Sequence, residues 1–398
     1  MNKWLTIVGV GEDGWDGLSD SARMAITSAE VIVGAARLLS SLPSLKGERH
    51  EWPQPFSAVV ERIKPFSGRK TVILATGDPM NYGVARKLME FIPFEQMTVI
   101  PNISAFSLAA SRMGWSLPNC DTLTLHGRAA ATLELFIHPE AKLIVLTADA
   151  TTIPDIRQRL VARGFSESRI TVLENLGGKR ERVSQYDQHT EYSDLNTVAI
   201  HCMAGQDAKI YSRLAGLPDD AFVHDGQLTK REVRAATLAA LAPAPDQLLW
   251  DIGAGCGSIA IEWMRGTRGC QAIAFEQDSA RLLMIAQNAQ ALGTPGLKIV
   301  SGKAPETLTD LHPPDAIFIG GGVGNTGVFE TAWENLKAAG RLVANVVTIE
   351  GEMHLYDLQE KHGGDLVKID ISYLTHVGPY RALKPRMSVL QWRVQKPW

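Results

Sequence analysis

Residues 247–265 read QLLWDIGAGCGSIAIEWMR. The apolar run 247–251 has strand character, and it ends in Asp251. Gly253, Gly255 and Gly257 then recur at every second position before the apolar stretch IAIEWMR takes up helical spacing. A glycine turn between a strand and a helix brings backbone N–H groups close to a ligand and aims a helix N-terminus at it. A dinucleotide fingerprint needs G-x-G-x-x-G, and the third glycine position here is Ser258. The pattern present is D-x-G-x-G-x-G, which fits a nucleoside without a pyrophosphate.

The strand ends that follow select that nucleoside. The strand AIAFE, 272–276, ends in Glu276, about 20 residues past the glycines, where an acid can bind both hydroxyls of an adenosine ribose. A third strand, 298–301, runs into GKAPE, 302–306, where an adenine ring can lie against backbone. Asp251 suits the ammonium of a methionine moiety. Together these ends predict an S-adenosylmethionine (SAM) site. The fourth strand leads into Phe318-Ile319-Gly320-Gly321-Gly322 and carries no Asn/Asp-Pro-Pro-Tyr element of the kind that holds a target nitrogen. Bare backbone there leaves room for a broad, flat substrate.

The same alternation extends over all 398 residues and predicts an α/β protein with mainly parallel sheets. Expected strands in the first half are 5–8, 31–33, 71–75, 97–100, 143–146, 171–173 and 197–201. In the second half they are 247–251, 272–276, 298–301, 316–320, 341–345, 366–371 and 387–394. The last two have no helix between them and should form an antiparallel pair at the sheet edge. The polar stretch 204–225, with Gly205, Gly216 and Pro218, marks the boundary between two domains, 1–205 and 222–398, joined by a linker at 206–221.

Composition bounds the partners. Apolar residues are 45% and charged residues 21%, which excludes disorder and an integral membrane protein. A net charge of −3 provides no global field for nucleic acid or an anionic membrane. Cys120, Cys202, Cys256 and Cys270 form no CxxC, and the histidines show no ligand spacing, so neither a metal site nor a disulfide framework is expected. The N-terminal apolar run is short and lacks a small-residue cleavage site, so a cytoplasmic location is expected.

Gly9-Val10-Gly11-Glu12-Asp13-Gly14 formally satisfies G-x-G-x-x-G. No helix opens at Gly14, however, and the next strand, VIV, ends in Gly34 rather than an acid, so a dinucleotide site is rejected. More telling are two polar turns at strand C-termini, Thr76-Gly77-Asp78-Pro79 and Pro101-Asn102-Ile103-Ser104-Ala105, where ligands of open α/β sheets collect.

Residues 1–205 resemble the tetrapyrrole (corrin/porphyrin) SAM methylases through VGVGEDG (8–14), ATGDPMNYG (75–83), PNISAFSLAASRMGWSL (101–117) and VLENLGGKRE (172–181). Residues 222–398 resemble the partner methylases of cobalamin biosynthesis through HDGQLTKREVRA (224–235), WDIGAGCGSIAIEW (250–263), AFEQD, GKAPE and IGGG. The first loop reads GVGEDG where many relatives start with a GPGDP-like sequence. The resemblance implies a tetrapyrrole-methylase-like α/β domain followed by a Rossmann-like class I SAM methyltransferase domain. It further implies one SAM site in each. In the first, SAM would meet Gly9, Val10, Gly11, Thr76, Gly77, Asp78, Ser104 and Ala105. In the second it would meet Thr229, Gly253, Ala254, Gly255, Cys256, Gly257, Glu276 and Ala304, beside Asp251.

The implied activity is methylation of a precorrin at C-5 and C-15 with decarboxylation of a ring acetate, giving precorrin-8, by a homo-oligomer. Such a substrate carries many carboxylates and calls for basic side chains. Candidates are Lys179, Arg180 and Arg182; Lys230, Arg231 and Arg234; and Arg381, Lys384 and Arg386. His126 and His201 sit at strand ends. No group is assigned to deliver the decarboxylation proton. The rival readings are a SAM methyltransferase acting on RNA or protein, and a non-catalytic SAM-binding protein.

Overall fold

The computed structural model describes residues 3–53 and 59–398. The chain divides into two compact units, residues 1–130 with 136–209, and residues 131–135 with 210–398.

The first unit holds two five-stranded sheets. One comprises β1 (Leu5–Val10), β2 (Val31–Gly34), β3 (Glu48–Glu51), β4 (Thr71–Thr76) and β5 (Met97–Ile100), in the order β3-β2-β4-β1-β5. Every pairing in it is parallel. Apart from the polar edge strand β3, its strands are largely apolar on both faces because both are covered. Leu5, Ile7, Val31, Val33 and Ile73 pack on one side, and Val8, Val10, Ile32, Val72 and Leu74 on the other. The second sheet comprises β6 (Asp121–Thr124), β7 (Lys142–Leu146), β8 (Arg169–Glu174), β9 (Arg182–Gln185) and β10 (Asn196–His201), in the order β6-β7-β10-β8-β9. Here only β6 and β7 run parallel. β10 lies antiparallel to both neighbours, and β9 pairs antiparallel to β8. The helix Ala105–Met113 places Phe106, Ala109 and Ala110 against Ile144, Leu173 and Ala199 of this sheet.

The second unit is built on β11 (Leu248–Ile252), β12 (Gln271–Glu276), β13 (Lys298–Ser301), β14 (Ala316–Ile319), β15 (Arg341–Val346), β16 (Asp365–Ile369), β17 (Ser372–Val377), β18 (Tyr380–Pro385) and β19 (Val389–Gln395). Seven of these form one sheet in the order β13-β12-β11-β14-β15-β19-β16. Its first five strands are parallel, and β19 pairs antiparallel with both β15 and β16. The antiparallel edge predicted from the missing helix is therefore present, but the connection contains a separate hairpin, β17–β18, unforeseen in the sequence. Alternate residues of β11 and β12 serve two cores. Leu249, Ala272 and Ala274 join one, and Trp250, Ile252, Ile273 and Phe275 the other.

The stretch 206–221 is tied down at both ends. Lys209 donates its amide to the Arg163 carbonyl at 2.9 Å, within the first unit. Gly216 and Leu217 donate theirs to the Glu262 carboxylate at 2.6 and 3.0 Å, within the second. All four cysteines are free thiols. Among the described residues no helix is long and apolar enough to cross a membrane.

Candidate functional site

In the second unit β11 is flanked by β12 and β14, so its C-terminal end opens at the centre of the sheet, where α/β proteins bind ligands. Gly253, Gly255 and Gly257 adopt φ of 74°, 59° and 81°. Only glycine takes this left-handed region without steric cost, which explains the alternating pattern. The turn is anchored to the neighbouring strand. Gly253 and Ala254 both donate to the Phe275 carbonyl at 3.0 Å. Gly255 donates to Glu276 Oε2 at 2.9 Å, while Glu276 Oε1 accepts from Gln277 and Asp278 at 2.9 and 3.0 Å. Three amides thus hold the Glu276 carboxylate at one wall of a cavity of about 1240 Å³.

Seven of the nine positions expected to contact SAM in this unit line that cavity: Thr229, Gly253, Ala254, Gly255, Cys256, Glu276 and Ala304. Asp251 and Gly257 do not. Gly257 sits at the start of the helix Ser258–Gly266, where an added β-carbon would lie 3.0 Å from Ile285. Asp251 is 1% exposed beneath the turn. Its Oδ2 accepts from the Ala260 amide at 3.0 Å, and its Oδ1 has no hydrogen-bond partner. Burial pushes its pKa up to about 7; the Ala260 hydrogen bond opposes this, and the nearby Glu276 charge adds to it. A buried, half-satisfied carboxyl of this kind favours a cationic neighbour.

Beyond this wall the cavity continues along Gly320, Gly321 and Gly322 to Asn345, His354, Tyr373 and Arg386. An added β-carbon at Gly321 would meet nothing within 4 Å, so the glycine run borders open space. Of the basic candidates, Lys230 and Arg386 line the cavity, as does Lys303, which sequence reasoning did not single out as basic. Arg381 and Lys384 lie exposed on β18, and neither they nor Arg231 line the cavity. Arg234 has a structural task instead. Fully buried, it pairs with Glu262 at 2.6 Å and Asp219 at 3.1 Å, and donates to the Thr229 and Leu217 carbonyls. Asn345, His354 and Tyr373 escaped prediction because no motif spacing marks them and Tyr373 belongs to the unforeseen hairpin.

In the first unit the eight expected positions gather at the C-terminal ends of β1, β4 and β5. Val10 pairs in register with Thr76, and its carbonyl accepts the Gly77 amide at 2.9 Å. An added β-carbon on Gly9 would stand 2.0 Å from the Gly77 carbonyl and 2.6 Å from the Asn102 nitrogen, so the three chain segments meet there. Gly77, with φ 60°, approaches Ser104 and Ala105 in the same way, with its virtual β-carbon 3.7 and 3.8 Å from their backbone atoms. Ser104 caps the helix Ala105–Met113 by accepting the Ser107 amide at 3.2 Å. Asp78 is occupied by the Met80 amide at 2.9 Å, and Gly11 is restricted by Asp13. Asn102 is a further polar residue at this junction. It bridges two of these turns, donating to the Gly9 carbonyl at 3.4 Å and accepting the Ile103 amide at 2.8 Å.

Arg37 also borders this junction, ion-paired with Glu12 and donating to Thr76 Oγ1 at 3.2 Å. Burial and the neighbouring Arg180 charge lower its pKa. Arg182, in contrast, is committed to Glu174 and the Glu191 carbonyl. Lys179 lies in the exposed part of the same turn. His201 pairs with Glu140 at 3.0 Å, and the His126 amide donates to Thr124. Among the described residues no cluster of three or more His, Cys, Asp and Glu side chains is arranged to hold a metal ion.

Comparison with known proteins agrees with this architecture. Residues 4–187 match the family described as tetrapyrrole (corrin/porphyrin) methylases, and residues 220–396 match the precorrin methyltransferase domain. A precorrin-6Y C(5,15)-methyltransferase [decarboxylating] of Sinorhizobium sp is 44% identical over 402 residues, covering 98% of this chain and 96% of its own. The protein of the same name from Mycobacterium tuberculosis is 36% identical over 400 residues, covering 98% of this chain and 100% of its own. A solved C-terminal domain of precorrin-6Y C5,15-methyltransferase from Rhodobacter capsulatus is 43% identical and spans 47% of this chain and 100% of its own, with a TM-score of 0.45. Similarity of this extent, carried through both halves in one chain, means that the chain belongs to the family of decarboxylating precorrin-6Y C(5,15)-methyltransferases, SAM-dependent enzymes of cobalamin biosynthesis.

Proposed function

We infer that this chain methylates a precorrin at C-5 and C-15 and decarboxylates a ring acetate, giving precorrin-8. In this reading residues 1–205 form the domain that methylates C-5, residues 206–221 are a linker, and residues 222–398 form the domain that methylates C-15 and removes the carboxylate. The observation that carries it is the two-part cavity of the second unit, a nucleoside-type wall around Glu276 continuing into a glycine-floored space. Near full-length similarity to proteins named for this reaction supports the same reading.

SAM, one molecule per unit, supplies an electrophilic methyl group. The residues of the second cavity match what it presents. The Glu276 carboxylate has acceptor capacity for a ribose diol. The left-handed glycine turn leaves backbone open to the ligand. The orphaned Asp251 Oδ1 supplies negative charge beneath a cationic group. In the first unit the corresponding role falls to Gly9, Val10, Gly11, Thr76, Gly77, Asp78, Ser104 and Ala105. The attacking macrocycle carbon is electron-rich by its own conjugation, so the protein's contribution is alignment and exclusion of water. For decarboxylation the macrocycle itself serves as the electron sink.

The same proposal includes a homo-oligomeric, cytoplasmic enzyme without a nucleic-acid partner. Incubation of the full chain with precorrin-6Y and SAM, followed by mass spectrometry, tests it. Two added methyl groups with loss of CO2 are expected; precorrin recovered unchanged overturns the reading.

A further inference from the structure

The second-unit cavity is larger than the roughly 300–1,000 Å³ of a pocket for one drug-sized ligand, so it has room beyond a nucleoside. Its ionisable lining is unevenly engaged. Glu276 is held by three amides and Arg281 by Asp225 at 2.8 Å. Arg386 is different. Among the described residues its guanidinium has no ion-pair partner, yet it is not free to wander. Its carbon lies 5.3 Å from the centroid of the Tyr373 ring, and its amide donates to the Ile371 carbonyl at 2.9 Å. Tyr373 is itself fixed, because its hydroxyl donates to the Glu232 carboxylate. That hydrogen bond lowers the pKa of Glu232 and raises that of Tyr373. Glu232 belongs to the first turn of the helix Arg231–Leu241, whose preceding residue, Lys230, lines the same cavity.

The physical consequence is an unpaired, oriented cation. An arginine stacked on an aromatic face keeps its edge donors available, and those donors match a carboxylate in a bidentate fork. We propose that Arg386, oriented by the Glu232–Tyr373 pair, anchors a side-chain carboxylate of the macrocycle in the second-unit cavity. This proposal rests on the polycarboxylate substrate inferred above. The anchored carboxylate is not the one that departs. A guanidinium on the departing group would stabilise the ionised reactant against loss of CO2, so Arg386 sets the position of the ring while another side chain reacts. Tyr373 and Glu232 are positioning residues that act through Arg386.

The test uses the full chain with precorrin-6Y and SAM. Arg386→Ala should raise KM for the macrocycle in C-15 methylation and decarboxylation about 10- to 100-fold, the scale of a lost charged hydrogen-bond pair. SAM affinity in calorimetry should stay at the wild-type value. Arg386→Lys should recover part of the loss, because charge is kept and the fork is not. Tyr373→Phe retains the ring but frees it from Glu232, and should raise KM several-fold with little change in kcat. Unchanged KM in Arg386→Ala overturns the anchor, as does a loss of SAM affinity equal to the loss in KM. Failure of the functional reading itself looks different, because the unaltered chain then forms no decarboxylated product. Should Arg386→Ala fold poorly, Arg386→Lys and Tyr373→Phe carry the test; wild-type KM in both refutes the proposal.

Discussion

The carboxylate of Glu276, at the end of β12, accepts the Gly255 amide at 2.9 Å, so one strand end fixes the glycine turn of the next. The residue expected to bind a ribose therefore also shapes the loop expected to surround the rest of the nucleoside. Glu276→Ala should weaken SAM binding in the second unit by about 10- to 100-fold, since charged hydrogen bonds contribute about 1.5–3 kcal/mol. The first unit should keep its affinity. Isothermal titration calorimetry would then register one strong site in place of two. Two undiminished sites in this variant would refute the assignment.

Gly9 offers the complementary test in the first unit. Its virtual β-carbon falls 2.0 Å from the Gly77 carbonyl, a backbone atom that cannot turn aside as a side chain would. Gly9→Ala must therefore push apart the turns after β1 and β4. C-5 methylation should drop by at least about tenfold, the consequence of sub-ångström to ångström misplacement at a reacting centre. Mass spectrometry should show a decarboxylated product with a single added methyl group. Formation of the doubly methylated product at the wild-type rate would contradict it.

The parallel sheets were legible because buried strands in such sheets are short, largely apolar runs, as VIV, AIAFE and LLWDI are, with acids only near their C-terminal ends. The glycine turn after β11 was legible too, since left-handed φ at Gly253, Gly255 and Gly257 leaves a mark in composition. The strands β3, β6, β9, β17 and β18 were not foreseen. Glu48–Glu51 is ERHE and Arg182–Gln185 is RVSQ, polar edge strands whose pairing depends on neighbours rather than on hydrophobic pattern. The far wall of the cavity draws Asn345, His354 and Tyr373 from a strand, a helix and a hairpin, with no shared motif spacing to mark them.

Arg234 shows how charge alone misleads. In sequence it stands beside Lys230 as a candidate substrate group, but the fold buries it between Glu262 and Asp219. Glu262, 3% exposed, also accepts the Gly216 and Leu217 amides, so it holds the entry segment of the second unit. Removing one partner of a buried ion pair leaves the other charge uncompensated, at a cost of about 3–5 kcal/mol. Glu262→Ala should lower the urea midpoint of the second unit accordingly. The molecules still folded should retain the wild-type KM for the macrocycle. A normal midpoint combined with a raised KM would return Arg234 to the substrate site.

Asp251 predicts how binding should depend on pH. Burial pushes its pKa up to about 7, from an ordinary 3.8, so the folded, ligand-free unit keeps this proton up to near neutrality. The unfolded chain loses it near 3.8. Stability from this group is thus fully present below that pH, declines as pH rises toward 7, and stays at the lower level above it. A cationic ligand reverses the preference by stabilising the carboxylate, and binding below pH 7 must then expel a proton. SAM affinity at the second unit should climb with pH by up to about tenfold per unit and level off above pH 7. Calorimetric titrations between about pH 5.5 and 8.5, in buffers of different ionisation enthalpy, would count the released proton directly. Asp251→Asn should bind more weakly at high pH and lose the slope, because the amide neither ionises nor neutralises the ligand. A slope that persists in Asp251→Asn would assign the proton to another group, and a flat profile in the unaltered chain would mean that SAM does not engage Asp251.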